Sequence, residues 1–370
     1  MPAAEERRTC TRCVMDTSDP EIVFDAAGVC HHCHAYDQRL AALPASAEAG
    51  QRRLQAMVER LRADARGRPY DCVIGLSGGV DSSFVALLLV RELGLRPLAV
   101  HLDNGWDTEI AVHNIERLVA ALDLDLHTVV LDWPSFADLQ RAFLLASVPD
   151  CEVPTDHAII AALFATARRF RIRHVVLGTN LRTESHLPRA WSRGHGDWRY
   201  IASVHRRHGS MPLRDFPHQD LWRLAWNRWR LRVHEPLDWI AYRKAAAKQR
   251  LIAEIGWGDY GGKHHESIYT RWYQGCYLPR KFGFDKRRAH CSSLICSGEL
   301  TRAEALRQLA EPPYDPELQA ADTRYVARKL GLSEAQMQEI WRAPPRRFAD
   351  YPSYAGSWWY RCWRWLRHRR

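Results

Sequence analysis

The run "VIGLSGGVDSSF", residues 73–84, decides the fold. Residues 71–76, "DCVIGL", read as a short buried strand, and Ser82–Leu93 as a helix that stops at Gly94. Between them lies strand, Ser-Gly-Gly-x-Asp-Ser, helix. Gly78 and Gly79 let the backbone approach an anion closely, and the helix start offers free N–H groups and the positive end of its dipole. Ser77, Ser82 and Ser83 add hydroxyl donors, and Val80 lies within the same wrap. Asp81 makes sense beside phosphate when Mg²⁺ bridges the two. Two familiar nucleotide loops are excluded. No Lys follows the glycines as the G-x4-G-K-[ST] pattern requires, and Gly75, Gly78 and Gly79 do not space as G-x-G-x-x-G.

Outward from this stretch, strands and helices alternate. "PLAVHLD" (97–103), "LHTVVLD" (126–132) and "HVVLGT" (174–179) read as strands, with helices over about 108–122, 135–146 and 155–170. Apolar strands alternating with helices imply an α/β fold with a parallel sheet covered on both faces. Ligands in such sheets bind beyond the C-terminal strand ends, where the Ser77 loop, Asp103, Asn104 and Gly178–Asn180 all fall. A helix is expected over 46–66. From 182 to 235 the alternation is lost amid Arg, His and Trp. Residues 236–310 read as helices joined by a Gly-rich loop, with Thr301 and Glu304 as a capping box, and 317–341 as helical. The expected division is 1–40, 41–69 (a linking helix), 70–235, a mostly helical 236–343, and 344–370.

Ten cysteines in a chain whose N-terminus lacks an apolar signal core point to a cytoplasmic protein with metal-binding or reactive thiols. Cys10-x2-Cys13 and Cys30-x2-Cys33, separated by 16 residues, match the spacing of four-cysteine structural zinc sites. An iron–sulfur cluster and redox thiols are the alternatives. The net charge of +10 suits an acidic partner such as a nucleotide or a sugar phosphate. In "SWWYRCWRWLRHRR" (357–370), Trp and Arg segregate in a way that suits an anionic membrane surface or a helix docked on the body.

The "LSGGVDSS" segment resembles the pyrophosphate loop of the N-type ATP pyrophosphatases, the PP-loop superfamily. That resemblance implies cleavage of ATP between its α and β phosphates. Pyrophosphate would sit on Ser77–Ser83, with Asp103 near the nucleotide and Gly178–Asn180 as another wall. Taken with "CTRCVMDTSDPEIVFDAAGVCHHC" and the block from "GWGDYGGKHHES" through "LPRKFGFDKRRAH" to "LTRAEAL", it is similar to the N-acetyl sugar amidotransferases of O-antigen and surface-sugar synthesis. These would convert an N-acetyl group on a nucleotide-linked sugar to an acetamidino group, with ammonia from a separate glutaminase subunit. The sequence holds neither an N-terminal Cys nor a Gly-x-Cys-x-Gly elbow, so ammonia must come from elsewhere. No nucleic acid partner is expected.

Lys281 and Lys286, with Asp81, are the catalytic candidates, and Arg280, Arg287 and His290 in the same basic block suit a diphosphate. His264 on the Gly-rich loop and Asp156 at a helix start are further substrate candidates. The alternative is a tRNA thiolase, which also joins this loop to zinc cysteines but needs a reactive Cys near it. Cys151 is the candidate.

Overall fold

A five-stranded, wholly parallel sheet organises the molecule. The computed structural model describes residues 7–261 and 266–357. Strands β1 (Cys72–Gly75), β2 (Pro97–Asp103), β3 (Leu126–Val130), β4 (His174–Val176) and β5 (Arg232–His234) lie in the order β3-β2-β1-β4-β5. β1 and β2 are buried on both faces, as their continuous apolar runs require. β3 departs from that expectation. It is an edge strand, and Val130 is 69% exposed. β5 lies in the stretch that shows no alternation. Its two Arg/His residues carry no apolar signal, and it is added by backbone pairing to β4.

Helices α1 (His31–Ala41) and α2 (Ala47–Asp64) precede the sheet. α3 (Val80–Leu87) leaves the glycine loop and continues as a π-helical turn, Leu88–Glu92, before Gly94 turns the chain at φ +57°. α4 (Glu109–Leu122) and α5 (Trp133–Ala146) begin where Thr108 and Asp132 accept the N–H groups of Ala111 and Ser135. α6 (Val153–Arg169) runs back to β4. Side chains of β1 alternate between two cores. Ile74 joins Leu61 of α2, Phe84 of α3 and Leu118 of α4, while Val73 joins Val100, Leu163 and Val175.

Beyond β4 come α7 (Leu181–Glu184), α8 (Trp198–His208), α9 (Leu221–Arg230) and α10 (Lys244–Ile255), the last packing on α3. α9 leaves Trp222, Trp226 and Trp229 exposed, so these three tryptophans of the 182–235 stretch are not core residues, whereas Trp191 is. α11 (Ile268–Trp272), α12 (Leu278–Phe282), α13 (Arg287–Cys296) and α14 (Arg302–Ala310) follow, and α14 carries the expected Thr301–Glu304 capping box. The span read as helical over 317–341 is two helices, α15 (Pro316–Lys329) and α16 (Glu334–Arg342). Gly331, at φ +65°, ends the first, and Ser333 caps the second. Among the described residues no helix is long and apolar enough to cross a membrane. The tail from 358 onward lies outside them.

The N-terminal cysteine segment is bound tightly to the C-terminal helices. Arg302 donates to the Cys10 and Cys13 carbonyls, both at 3.0 Å. Ser292 accepts the Val14 N–H at 3.2 Å, and Arg288 reaches the Val14 carbonyl at 2.9 Å and Asp16 at 3.1 Å. The four cysteines belong to the same buried cluster as Trp191, Tyr277 and Phe284.

Candidate active site

β1 and β4 are neighbours although β2 and β3 intervene in sequence. The chain reverses its direction of travel across the sheet at this point, and a crevice opens beyond the strand ends. The Ser77 loop leaves β1 and Gly178 follows β4, so both walls of the crevice are present. Gly178 packs so closely that a Cβ there would stand 3.0 Å from the Asp81 backbone. Gly78 has φ +74°, and a Cβ on it would lie 2.6 Å from the Ala111 carbonyl oxygen. The Gly78 carbonyl is held from behind by Trp257 Nε1 at 3.1 Å and Asn114 Nδ2 at 3.4 Å.

Gly79 caps α3 with no side chain, so the first N–H groups of the helix have no intrahelical partner. The Tyr260 hydroxyl accepts one of them, from Val80, at the place where an anion would dock. Ser77 is exposed, and its Oγ meets the Gly79 N–H at 3.3 Å and Ser82 Oγ at 3.1 Å. Ser77, Gly78, Gly79, Val80 and Ser82 thus form one cradle. Ser83 is fully buried, so its hydroxyl is closed off from the loop mouth.

Asp81 is not free. Its two oxygens accept from the Tyr242 hydroxyl and from Lys244 Nζ, the latter at 3.2 Å. Burial works against charge on Lys244, but Asp81, then Glu184 and Glu266, outweigh it and hold the ammonium charged. Burial and the Asp81 charge push the Tyr242 phenol well up. One lysine thus stands among three carboxylates beside an anion cradle. Such a donor set suits a divalent cation bridging acids and phosphate. Sequence reasoning missed Lys244 and Tyr242. "AYRKAAAK" carries no motif, and only the packing of α10 on α3 brings them to Asp81.

A second group of polar residues gathers at the start of α6. Asp150 accepts from Ser192 Oγ at 2.5 Å and pairs with His195 Nε2 at 3.1 Å, and Asp156 lies 3.3 Å from the same nitrogen. Glu152 pairs with Lys286 at 3.1 Å and accepts from Gln274 at 2.9 Å. Desolvation, helped by Glu152 and Asp150, raises Asp156 to about 6, although half of its side chain is exposed. Desolvation opposes charge on His195, but Asp150 and Asp156 outweigh it and raise its pKa to about 9. The same acids, Glu152 foremost, overcome the desolvation of Lys286 and keep it charged. Asp156 and Lys286, far apart in sequence, are therefore brought into one charged cluster. His195, Asp150 and Glu152 were missed, although the three acids of "DCEVPTD" were a visible signal.

Other candidates have local structural work. Asp103 accepts the Gly105 N–H at 2.8 Å, and Asn180 caps α7 through Thr183. Lys281 donates to the Ile340 and Ala343 carbonyls at the C-terminus of α16 and is not brought to either polar group. Arg280 stacks on Trp341, its guanidinium 4.3 Å from the ring centre. Arg287 grips Asp285 and the carbonyls of Gln308 and Glu311. His290 lies 3.3 Å from the Thr183 carbonyl. His264 lies outside the described residues. Cys151 is fully buried, and desolvation pushes its thiol far up, against the accessible nucleophile a thiolase would need.

Cys10, Cys13, Cys30 and Cys33 do converge. All four are wholly buried, with their sulfurs within 4.8 Å of one another. The Cys13–Cys30 and Cys30–Cys33 separations are 3.6 and 3.8 Å. N–H groups of Cys13 and Cys30 point at Cys10 Sγ, and that of Met15 at Cys13 Sγ. Such donors favour thiolates, and the spacing fits a tetrahedral metal such as zinc.

Residues 54–197 match the NAD synthase family model, and residues 266–367 match the family described as LPS biosynthesis protein WbpG-like, C-terminal domain. The chain thus joins an NAD synthase-like domain to a WbpG-like C-terminal domain. Among curated relatives, it is 33% identical over 98 residues to the GMP synthase [glutamine-hydrolyzing] of Pyrobaculum aerophilum, covering 26% of this chain and 17% of that protein. It is 45% identical over 56 residues to a probable GMP synthase of Caenorhabditis elegans, covering 15% and 8%. The chain thus spans less than a fifth of these relatives' length. Two solved structures also align over 77% of this chain and 97% of theirs, each at 16% identity. They are NMN synthetase from Francisella tularensis (TM-score 0.37) and NH3-dependent NAD synthetase from Campylobacter jejuni (0.32).

Proposed function

We propose that this chain uses ATP to turn the N-acetyl group of a nucleotide-linked sugar into an acetamidino group. The observation that carries the reading is an anion cradle at the sheet's switch point, in the same chain as the WbpG-like C-terminal domain. The acetamido oxygen attacks the α phosphorus and pyrophosphate leaves. Ammonia then adds to the activated carbon, loses a proton, and AMP departs with the former amide oxygen. An amide oxygen is otherwise a poor leaving group, which is why the step needs ATP.

Ser77, Ser82 and the N–H groups of Gly79–Ser82 hold the pyrophosphate, with Lys244 offsetting charge as it departs. Asp81, joined by Glu184 and Glu266, would hold Mg²⁺, which would supply charge neutralisation. The charged cluster of Asp156, His195 and Lys286 takes the sugar, with carboxylate available for the proton that ammonia loses. The cysteine tetrad holds a structural zinc. Ammonia comes from a separate glutaminase, in keeping with the glutamine-hydrolysing relatives that this chain matches only in part.

The test is AMP and pyrophosphate release with ammonium, across UDP-linked N-acetyl sugars and their uronic acids. Exchange of one oxygen for NH in the product, seen by mass, supports the reading. AMP release with tRNA and with none of the sugars would overturn it.

A further inference from the structure

Beside the cysteine tetrad lies a second set of metal-binding groups. Cys296 Sγ, at the end of α13, is 3.8 Å from Cys33 Sγ, and His186 Nε2, just past α7, is 3.5 Å from Cys296 Sγ. All three ligand atoms lie within 4.8 Å of one another. Zinc–sulfur bonds of about 2.3 Å and zinc–nitrogen bonds of about 2.05 Å give tetrahedral edges of about 3.8 Å and about 3.5 Å. Both measured separations have these lengths.

The histidine is also set up as a ligand. It is fully buried. Its Nδ1 faces Ser185 Oγ at 2.8 Å and Ser293 Oγ at 3.3 Å. Ser293 in turn receives the Ser185 and His186 N–H groups. With the proton on Nδ1, the Nε2 lone pair points at the thiols, as outer partners do for metal-bound imidazoles.

We infer that Cys33, His186 and Cys296 bind a second zinc ion, with the Cys33 thiolate bridging it to the ion in the tetrad. The inference rests on the zinc reading of the tetrad. Binding displaces the Cys296 thiol proton to solvent, and the fourth position of the second ion is left to water. Four thiolates around one Zn²⁺ carry two net negative charges, and adding Zn²⁺ with one more thiolate halves that burden. Arg12, held by Asp37 at 2.5 and 2.8 Å, is close enough to act on the Cys33 and Cys296 charges. The pair of ions would tie the N-terminal module to the chain beyond β4 and to α13.

The experiment is zinc stoichiometry by elemental analysis on the untagged full chain produced with zinc and then desalted. Two ions per chain are expected, falling to one in Cys296→Ser and in His186→Asn. A cobalt-loaded sample should lose part, not all, of its thiolate-to-cobalt absorption in those variants. One zinc in the unaltered chain, two retained in both variants, or iron with labile sulfide would each overturn the second site. Loss of both ions in every variant overturns it as a separable site. No zinc at all in the unaltered chain would show that the tetrad reading itself has failed.

Discussion

At the scale of single residues, the loop depends on a backbone shape that only glycine takes without cost. Gly78→Ala would force a side chain into the left-handed region and onto the Ala111 carbonyl. The conformational part alone costs about 1–2 kcal/mol. The urea midpoint should fall and ATP binding by calorimetry should be lost. Wild-type affinity would contradict the cradle. Lys244→Ala leaves three carboxylates without their lysine, and kcat/KM for AMP formation should drop about 10²–10³-fold, the scale for removing one transition-state donor. Unchanged turnover would remove Lys244 from the phosphate site.

Asp156, raised to about 6 chiefly by desolvation, is charged above that pH and neutral below it. If its charge serves the reaction, kcat/KM falls as pH drops through about 6. Asp156→Asn should lower the plateau and erase that limb of the profile, and an unaltered limb would assign it to another group. Residues such as Thr301 and Glu304 were legible because a capping box is written within four positions. Lys244 and His195 were not, because their partners are distant in sequence.

At the scale of elements, Lys281 shows how a basic block divides its work. Its ammonium meets carbonyls that the end of α16 leaves open. Lys281→Ala should cost about 1 kcal/mol of stability, the value of a typical hydrogen bond or helix-end charge, and leave AMP formation intact. A collapse of turnover at normal stability would return Lys281 to the catalytic set. α4 and α5 were readable from apolar period and α14 from its capping box, whereas the break between α15 and α16 turns on Gly331. β5 was unreadable, because an edge strand is made by its neighbour's hydrogen bonds and needs no apolar pattern.

At the scale of the molecule, residues 10–16 are fastened to the chain's last third. Arg288, Ser292 and Arg302 bind the backbone of residues 10–16. If the tetrad holds the proposed zinc, chelating it should therefore loosen both regions together. Hydrogen exchange is expected to rise across residues 10–33 and 287–310 after zinc removal, with a fall in thermal midpoint. Loosening confined to residues 10–33 would mean the module is energetically separate.

The parallel α/β sheet, the glycine loop after β1 and the four converging cysteines were legible in the sequence alone. Each is encoded locally, by apolar period, by glycine at a tight turn, or by a two-residue ligand spacing. Three-dimensional packing alone brings Lys244 and Tyr242 to Asp81, gathers Asp156 and Lys286 around His195, and sets Cys296 and His186 beside Cys33. Those contacts join elements whose approach is set by helix packing across the crevice and by the docking of the N-terminal module on α13 and α14. No local pattern of residues carries that information.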